Sequence, residues 1–117
     1  MTKEQAIEIL KESFSRPCST PDFNAEDREV FLNNKKAELL SLVTEPFIAQ
    51  ANTNEWTRKW GVLPEETYQM YVIAGNEEHW LLYDSNTKNF SQARGNPKKI
   101  LILIGHASDD ALAEWNG

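Results

Sequence analysis

Few residues of this chain have the types that catalysis uses. Cys18 is the only cysteine, and the two histidines are His79 and His106. Nucleophilic catalysis would need a thiol or a serine within hydrogen-bond reach of an imidazole, with a carboxylate such as Asp84 orienting the ring. No known nucleophile motif surrounds Cys18. We therefore expect an ordinary thiol and structural histidines, and the sequence favours a protein that is not an enzyme.

The sequence also predicts no metal and no cofactor. One cysteine and two distant histidines provide no closely spaced pair of zinc ligands. The segment 84–89 alternates oxygen ligands as a calcium loop does. However, Lys88 occupies a ligand position, and Asn89 occupies the position that needs glycine. The five glycines are scattered singly, so no loop is built to cradle phosphate.

The charge balance is acidic, with 12 basic and 18 acidic side chains and a net charge of -6. Nucleic-acid affinity comes mainly from basic residues that neutralise phosphates, so this chain is predicted to bind neither DNA nor RNA. Arg58 and Lys59 stand between Trp56 and Trp60, the nearest approach to a base-stacking patch. We expect a short helix there, with its tryptophans in the core and its charges in water.

The composition also predicts a compartment. A single cysteine cannot form an intrachain disulfide, which favours a reducing environment. The N-terminal residues lack the basic and apolar regions of a signal peptide. The longest apolar run, 100–104, is far shorter than the roughly 20 residues of a membrane span. We therefore predict a cytoplasmic protein that does not enter a membrane.

Residues 1–61 are predicted to be mainly helical. Thr2 and Gln5 form a capping-box pattern, and apolar residues then recur at helical spacing. The other predicted helices are 25–43, a short one that starts at 44–46, and one capped by Asn54 that carries Trp56 and Trp60.

Residues 62–117 are predicted to form a sheet and a terminal helix. The apolar period changes there from about 3.6 to about 2. Turn-forming residues separate four predicted strands, whose short loops favour antiparallel neighbours. The strands are Tyr68–Ala74, His79–Tyr83, Asn89–Ala93 and Lys99–Ile104. A last helix is predicted to start at Ser108, with Asp109 and Asp110 in its first turn.

Three of the predicted strands, all except 89–93, are apolar on both faces. An antiparallel sheet with one wet face alternates apolar and polar residues instead. Either helices cover the two faces of the sheet, or a second copy of the chain covers one of them as a homodimer. The polar strand 89–93 is predicted to be the exposed edge. The predicted fold is thus one α+β domain over 1–117, with N-terminal helices, a four-stranded antiparallel β-meander and a C-terminal helix.

The C-terminal part resembles the SUKH superfamily. The resemblance lies in the run 79–87, the apolar strand after it and the Ser-capped segment 107–115, about a third of the chain. Leu63-Pro64-Glu65-Glu66-Thr67-Tyr68 is similar to that family's L-P-x-x-Y element with one extra residue, and the N-G-G that normally follows is absent. The resemblance implies an α+β protein that neutralises a toxin or serves as an adaptor through surface contact.

Two functions fit these observations. The first is a non-catalytic protein-protein interaction module, whose partner would be another protein, with basic partners favoured by the negative charge. The alternative is a small enzyme or ligand-binding domain with a pocket between helices and sheet that uses His79 or Cys18. For the first function, acidic turns and aromatic residues are the candidate contact surface. These residues are Trp56, Trp60, Glu65, Glu66, Tyr71, Glu77 and Glu78.

Overall fold

A computed structural model describes residues 1–16, 28–60 and 63–116, with only the backbone described at positions 60, 105, 106 and 116. The described residues form four helices and five strands. In chain order these are α1 (Lys3–Phe14), α2 (Arg28–Ser41), β1 (Val43–Asn52), α3 (Glu55–Trp60), β2 (Thr67–Asn76), β3 (His79–Asp84), β4 (Asn89–Arg94), β5 (Ile100–Ser108) and α4 (Ala111–Asn116). The predicted α+β class, N-terminal helices and C-terminal helix are confirmed.

The helix starts follow the local sequence. The capping box predicted for α1 is present, because Thr2 Oγ1 accepts from the Gln5 amide and the Gln5 side chain accepts from the Thr2 amide. Asn54 Oδ1 accepts the Thr57 N–H at 2.7 Å, which confirms the predicted cap of α3. The predicted beginning of the second helix, 25–27, lies outside the described residues.

The helix predicted at 44–46 is wrong, because this segment belongs to β1. Alanine, glutamine and glutamate are good helix formers, so the segment favours a helix when it is read locally. The alternation of buried and exposed residues that is typical of a strand is therefore not evident from the residue types. Ala49 and Ala51 are buried, while Ile48 and Gln50, which alternate with them, are exposed, as a strand with one covered face requires. Pro46 lies where the pairing of β1 with β2 shifts register, a position that tolerates a residue without an N–H.

The five strands close into a barrel in sequence order. Each strand pairs antiparallel with the next, as predicted from the short loops. Because five strands alternate in direction, the first and the last run the same way. They pair in parallel, with Gln50 opposite Ile100 and Asn52 opposite Ile102. The predicted four-stranded antiparallel meander therefore lacked β1 and its parallel pairing with β5. We call this parallel pair of strands the seam.

The assignment of the third predicted strand as an exposed edge is also wrong. This strand, β4, pairs with β3 on one side and with β5 on the other. Its residues Phe90, Ser91 and Gln92 are buried. A closed barrel has no edge strand, and helix α4 covers the outer face of β4.

The strands are apolar on both faces because two hydrophobic cores exist. One core fills the barrel and consists of Ala49, Ala51, Leu63, Met70, Val72, Leu82, Ala93, Leu101 and Leu103. The other lies between the outer face of the barrel and the helices, and includes Ala6, Leu10, Leu39, Ile73, Leu81, Phe90, Leu112 and Trp115. Helices thus cover only the outside of the barrel, where their contacts include β2, β3 and β4, while the other face of the sheet closes on itself. The predicted arrangement with helices on both faces is therefore wrong.

The start of α4 is fixed by side chains from two elements. Asp110 Oδ1 accepts the Ala113 N–H at 3.0 Å, so Asp110 is the N-cap rather than the predicted Ser108. Ser13 on α1 accepts the Ala111 N–H at 2.9 Å and donates to the Asp109 carbonyl at 2.8 Å. These bonds attach the first helix to the last.

Neighbouring residues of β5 test which face points into the barrel. Leu103 is fully buried inside, whereas Ile102 is 46% exposed outside. We expect Leu103→Ala to lower the free energy of unfolding by about 3 kcal/mol because it leaves a cavity. Ile102→Ala is the matched control and should cost less than about 1 kcal/mol. Urea unfolding at low protein concentration measures both, and equal losses would contradict this register.

Candidate functional site

His79 joins the terminal helix to the barrel. Its ring stacks on Trp115 with centroids 4.0 Å apart and planes 8° from parallel. The Gln92 amide nitrogen lies 2.7 Å from His79 Nε2 and donates to the Trp115 carbonyl at 3.0 Å. An amide nitrogen only donates, so His79 Nε2 accepts and the ring proton is on Nδ1. The hydrogen-bond network therefore assigns a neutral imidazole with a structural role.

The electrostatics of His79 agree with that assignment. Burial lowers the pKa of His79 below its ordinary value of 6.5, and the positive charge of Arg94 lowers it further. Arg94 is the partner of His79 in the pairing of β3 with β4. Both causes penalise the imidazolium, so the ring stays neutral at physiological pH.

The other residues considered for catalysis do not join His79. Asp84 is at the opposite end of β3, roughly 17 Å away along the strand. Its carboxylate accepts the Asn86 N–H at 2.9 Å and holds the β3–β4 turn. Cys18 and the side chain of His106 lie outside the described part of the chain. Among the described residues, no group of three or more His, Cys, Asp or Glu is placed to hold a metal ion.

Glu114 on α4 has an unusual pKa. Burial raises the pKa of Glu114 to about 7, with a further increase from the negative charge of Asp110 and a decrease from the Ser108 hydroxyl. Ser108 donates to Glu114 Oε1 at 3.3 Å and accepts the Asp110 N–H at 3.2 Å. Both bonds lie at the beginning of α4, so this pair supports the turn that leads into the Asp110 cap.

Two adjoining surface clefts run along α1, of about 540 and 500 Å³. The larger one lies between α1 and the β3–β4 hairpin, which is the kind of pocket between helices and sheet that the alternative function needs. Its lining includes Glu12, Arg16, Tyr83, Thr87, Lys88, Phe90, Ser108 and Asp109. His79 is not part of either lining.

The charges at the larger cleft are largely compensated. The Arg16 guanidinium is 3.6 Å from the carboxylates of both Glu12 and Asp109, and it donates to the Asp109 carbonyl at 3.1 Å. Burial raises the pKa of Tyr83, as do Glu12 and Asp84, while Arg16 opposes them. Tyr83 therefore stays a protonated phenol, and no activated nucleophile is formed by the described lining.

The residues predicted for an interaction surface lie at two ends of the barrel and on one side. Trp56 is 54% exposed, contrary to the expected core position, and the side chain of Trp60 is not described. Glu65 and Glu66 are exposed near the start of α3, since the Thr53 N–H donates to the Glu66 carbonyl at 2.9 Å.

The other predicted surface residues are not part of the same patch. Glu77 and Glu78 are exposed in the β2–β3 turn, roughly 30 Å from Glu66 along β2. Tyr71 is half-buried and packs against the core beneath the helices. The structure therefore brings Trp56 near Glu65 and Glu66, but it separates these three residues from the rest.

The most exposed apolar face was not predicted as a site. Ile48 on β1 and Ile100, Ile102 and Ile104 on β5 share the outer face of the two strands at the seam, where their exposed fractions are 59%, 47%, 46% and 36%. We call these four residues the isoleucine stripe. The sequence of 99–104 is apolar on both faces, which indicated that both faces of this strand need other residues packed against them. It did not indicate which strand would be left with an uncovered face.

Polar residues frame the stripe. On β1, Gln50 is next to Ile100 and Asn52 is next to Ile102. The Gln50 side-chain nitrogen donates to Asn52 Oδ1 at 3.4 Å. On β4, Arg94 is the partner of Ile102. An apolar centre with a polar rim is the usual composition of a protein-protein interface.

Comparison of the chain with protein-family profiles, with curated proteins and with solved structures finds no match. None of the helices in the described ranges has the length and hydropathy needed to cross a membrane. The geometry of the described residues is therefore the basis for the functional conclusion.

The neutral state of His79 gives a pH prediction. We expect its pKa below 6.5, so the stability that the neutral ring contributes is present above pH 6.5 and is lost as the pH falls through the lowered pKa. An NMR titration of the imidazole protons measures this pKa, with His79→Gln used to assign the resonance. A pKa at or above 6.5 would show that the ring is not held as the acceptor of Gln92.

Proposed function

We propose that this chain is a non-catalytic protein-binding domain that contacts its partner through the isoleucine stripe. The observation that carries the proposal is the exposure of four isoleucines on the outer face of two neighbouring strands, three in a row on β5 and one on β1. Soluble proteins rarely leave a contiguous apolar face uncovered unless it binds something. Isolated exposed apolar residues need no such explanation, but a row at the centre of a polar frame does.

The described chemical groups support a binding role over a catalytic one. His79 uses its ring to hold α4, and Asp84 uses its carboxylate to hold a turn. Arg16 at the larger cleft is paired with two carboxylates. Each of these groups thus has a structural partner, and general-base chemistry would need a group that is available to a substrate.

The proposed interaction takes place in the cytoplasm, and its partner is another protein. The net charge of -6 would accelerate encounters with a basic protein. The resemblance to the SUKH superfamily, which is a prediction from 79–87 and 107–115, implies the same mode of action, with an adaptor or immunity-type protein that works by surface contact.

A second candidate function is small-ligand binding in the larger cleft along α1. The observation that favours it is the size of that cleft, about 540 Å³, and its mixed lining of apolar and charged side chains. In this alternative Tyr83 and Lys88 would contact the ligand, whereas His79 would not.

Variants at three surfaces distinguish these functions. Ile102→Glu places a charge at the centre of the stripe, and Thr87→Trp fills the larger cleft. Reversal of Glu77 and Glu78 to lysine tests the acidic turn. We expect capture of a protein partner from native lysate to fall at least tenfold for Ile102→Glu, because burial of an unpaired charge is costly, and to be unchanged for the other two.

Two other outcomes would contradict a contact through the isoleucine stripe. Capture that survives Ile102→Glu and is lost on reversal of Glu77 and Glu78 would move the contact surface to the acidic turn. Loss with Thr87→Trp alone would move the protein contact from the stripe to the larger cleft. Circular dichroism of each variant serves as the folding control.

A further inference from the structure

We propose that the larger cleft along α1 binds a neutral polyhydroxylated ligand, a monosaccharide or a disaccharide. This inference goes beyond the contact at the isoleucine stripe, and it names a ligand class for the second candidate function. The cleft and the stripe share no residue, so each can be tested without the other. The inference is carried by an unpaired phenol at the cleft and by the cancellation of the charges around it.

Tyr83 presents a hydroxyl that the described structure does not pair. The residue is only 8% exposed, and it borders both clefts. No described residue forms a hydrogen bond with its hydroxyl. Among the described side chains, Thr57 Oγ1 is the one polar atom that is both enclosed and unpaired, so the Tyr83 hydroxyl reaches solvent, and it does so through the clefts. Because a polar group on so buried a residue is normally hydrogen-bonded, this phenol is available to a ligand.

The charges that line the larger cleft cancel. The lining contains two carboxylates and two cations, those of Glu12, Asp109, Arg16 and Lys88. The Arg16 guanidinium lies 3.6 Å from both carboxylates, so each of them has a counter-charge nearby. A lining without net charge does not compensate an ion for the water that it loses on binding. The balance therefore favours a neutral ligand.

Two further carboxylates lie near the cleft but outside its lining. Asp84 acts on Tyr83 through its charge, and its carboxylate accepts the Asn86 N–H in the β3–β4 turn. Glu8 borders the smaller cleft and is exposed, so solvent ions screen its charge. These two residues oppose an anionic ligand, while the two cations of the lining oppose an amine.

The uncharged part of the lining suits a sugar. Ile9 and Phe90 are apolar and provide a surface for the C–H groups of a sugar ring. Thr87 and Asn89 each carry a donor and an acceptor, and neither side chain is hydrogen-bonded within the described residues. Tyr83, which stays a protonated phenol, also donates and accepts. Sugar hydroxyls do both as well, and a cleft of about 540 Å³ has the size of a small-ligand site.

Backbone amide NMR of the intact chain, titrated with glucose, galactose, mannose, maltose and lactose, tests the proposal. We expect at least one sugar to give saturable shifts at Thr87, Lys88 and Asn89. Tyr83→Phe removes only the hydroxyl and should weaken this binding about fivefold, as the loss of one hydrogen bond predicts. Thr87→Trp fills the cleft and should abolish the binding. Tyr68→Phe makes the same change away from both clefts and should leave the sugar affinity unchanged.

Acetate, inorganic phosphate and methylamine serve as charged probes of the same signals. A response to one of these ions and to no sugar would overturn the neutral ligand class, and no response to any probe would overturn the site. Sugar shifts that persist in Thr87→Trp would place the binding outside the cleft and would also overturn the proposal. Ile102→Glu should bind the sugar normally, so failure at the cleft and failure of the proposed contact at the stripe are separate results.

Discussion

The parallel pairing of β1 with β5 is the interaction on which the rest of the structure depends. Five strands that each pair with the next can close into a barrel only if the first and the last run in the same direction. Without the seam, both strands would present unpaired backbone groups at an edge. Ala49, Ala51, Leu101 and Leu103 would also lose the closed interior that buries them. The short side chains on β1 suit this position, because the inside of a five-stranded barrel has little room.

The same seam explains where the candidate contact face lies. Helices α1, α2 and α4 pack on the outside of the barrel, with α1 against β1, α2 against β2 and α4 against β3, β4 and part of β5. Ser13 and the stack of His79 on Trp115 fix the position of α4. The outer face of β5 is left without a helical cover along the isoleucine stripe. A partner that binds there would hold β1 and β5 together, so binding and barrel closure would support each other thermodynamically.

Much of this fold could be predicted from local sequence, because capping residues and turn residues act over a few positions. The capping box of α1, the Asn54 cap and the strands β2 to β5 are examples. β1 was missed because Ala49 and Ala51 favour a helix when they are read locally, and only the pairing with β2 and β5 makes them a strand. The site was harder to predict. The sequence of β5 showed two apolar faces, but the helices decide which face is covered. The role of His79 depends on Trp115, which is distant in sequence.

Methyl NMR with a water-soluble paramagnetic probe tests the central claim most directly. The chain has seven isoleucines, of which Ile73 is fully buried under the helices and four form the stripe. In a dilute sample, the account predicts strong broadening of the stripe methyl signals and almost none for Ile73. Broadening of the stripe methyls that is as weak as that of Ile73 would contradict the account, because the outer face of the seam would then be covered within the single chain.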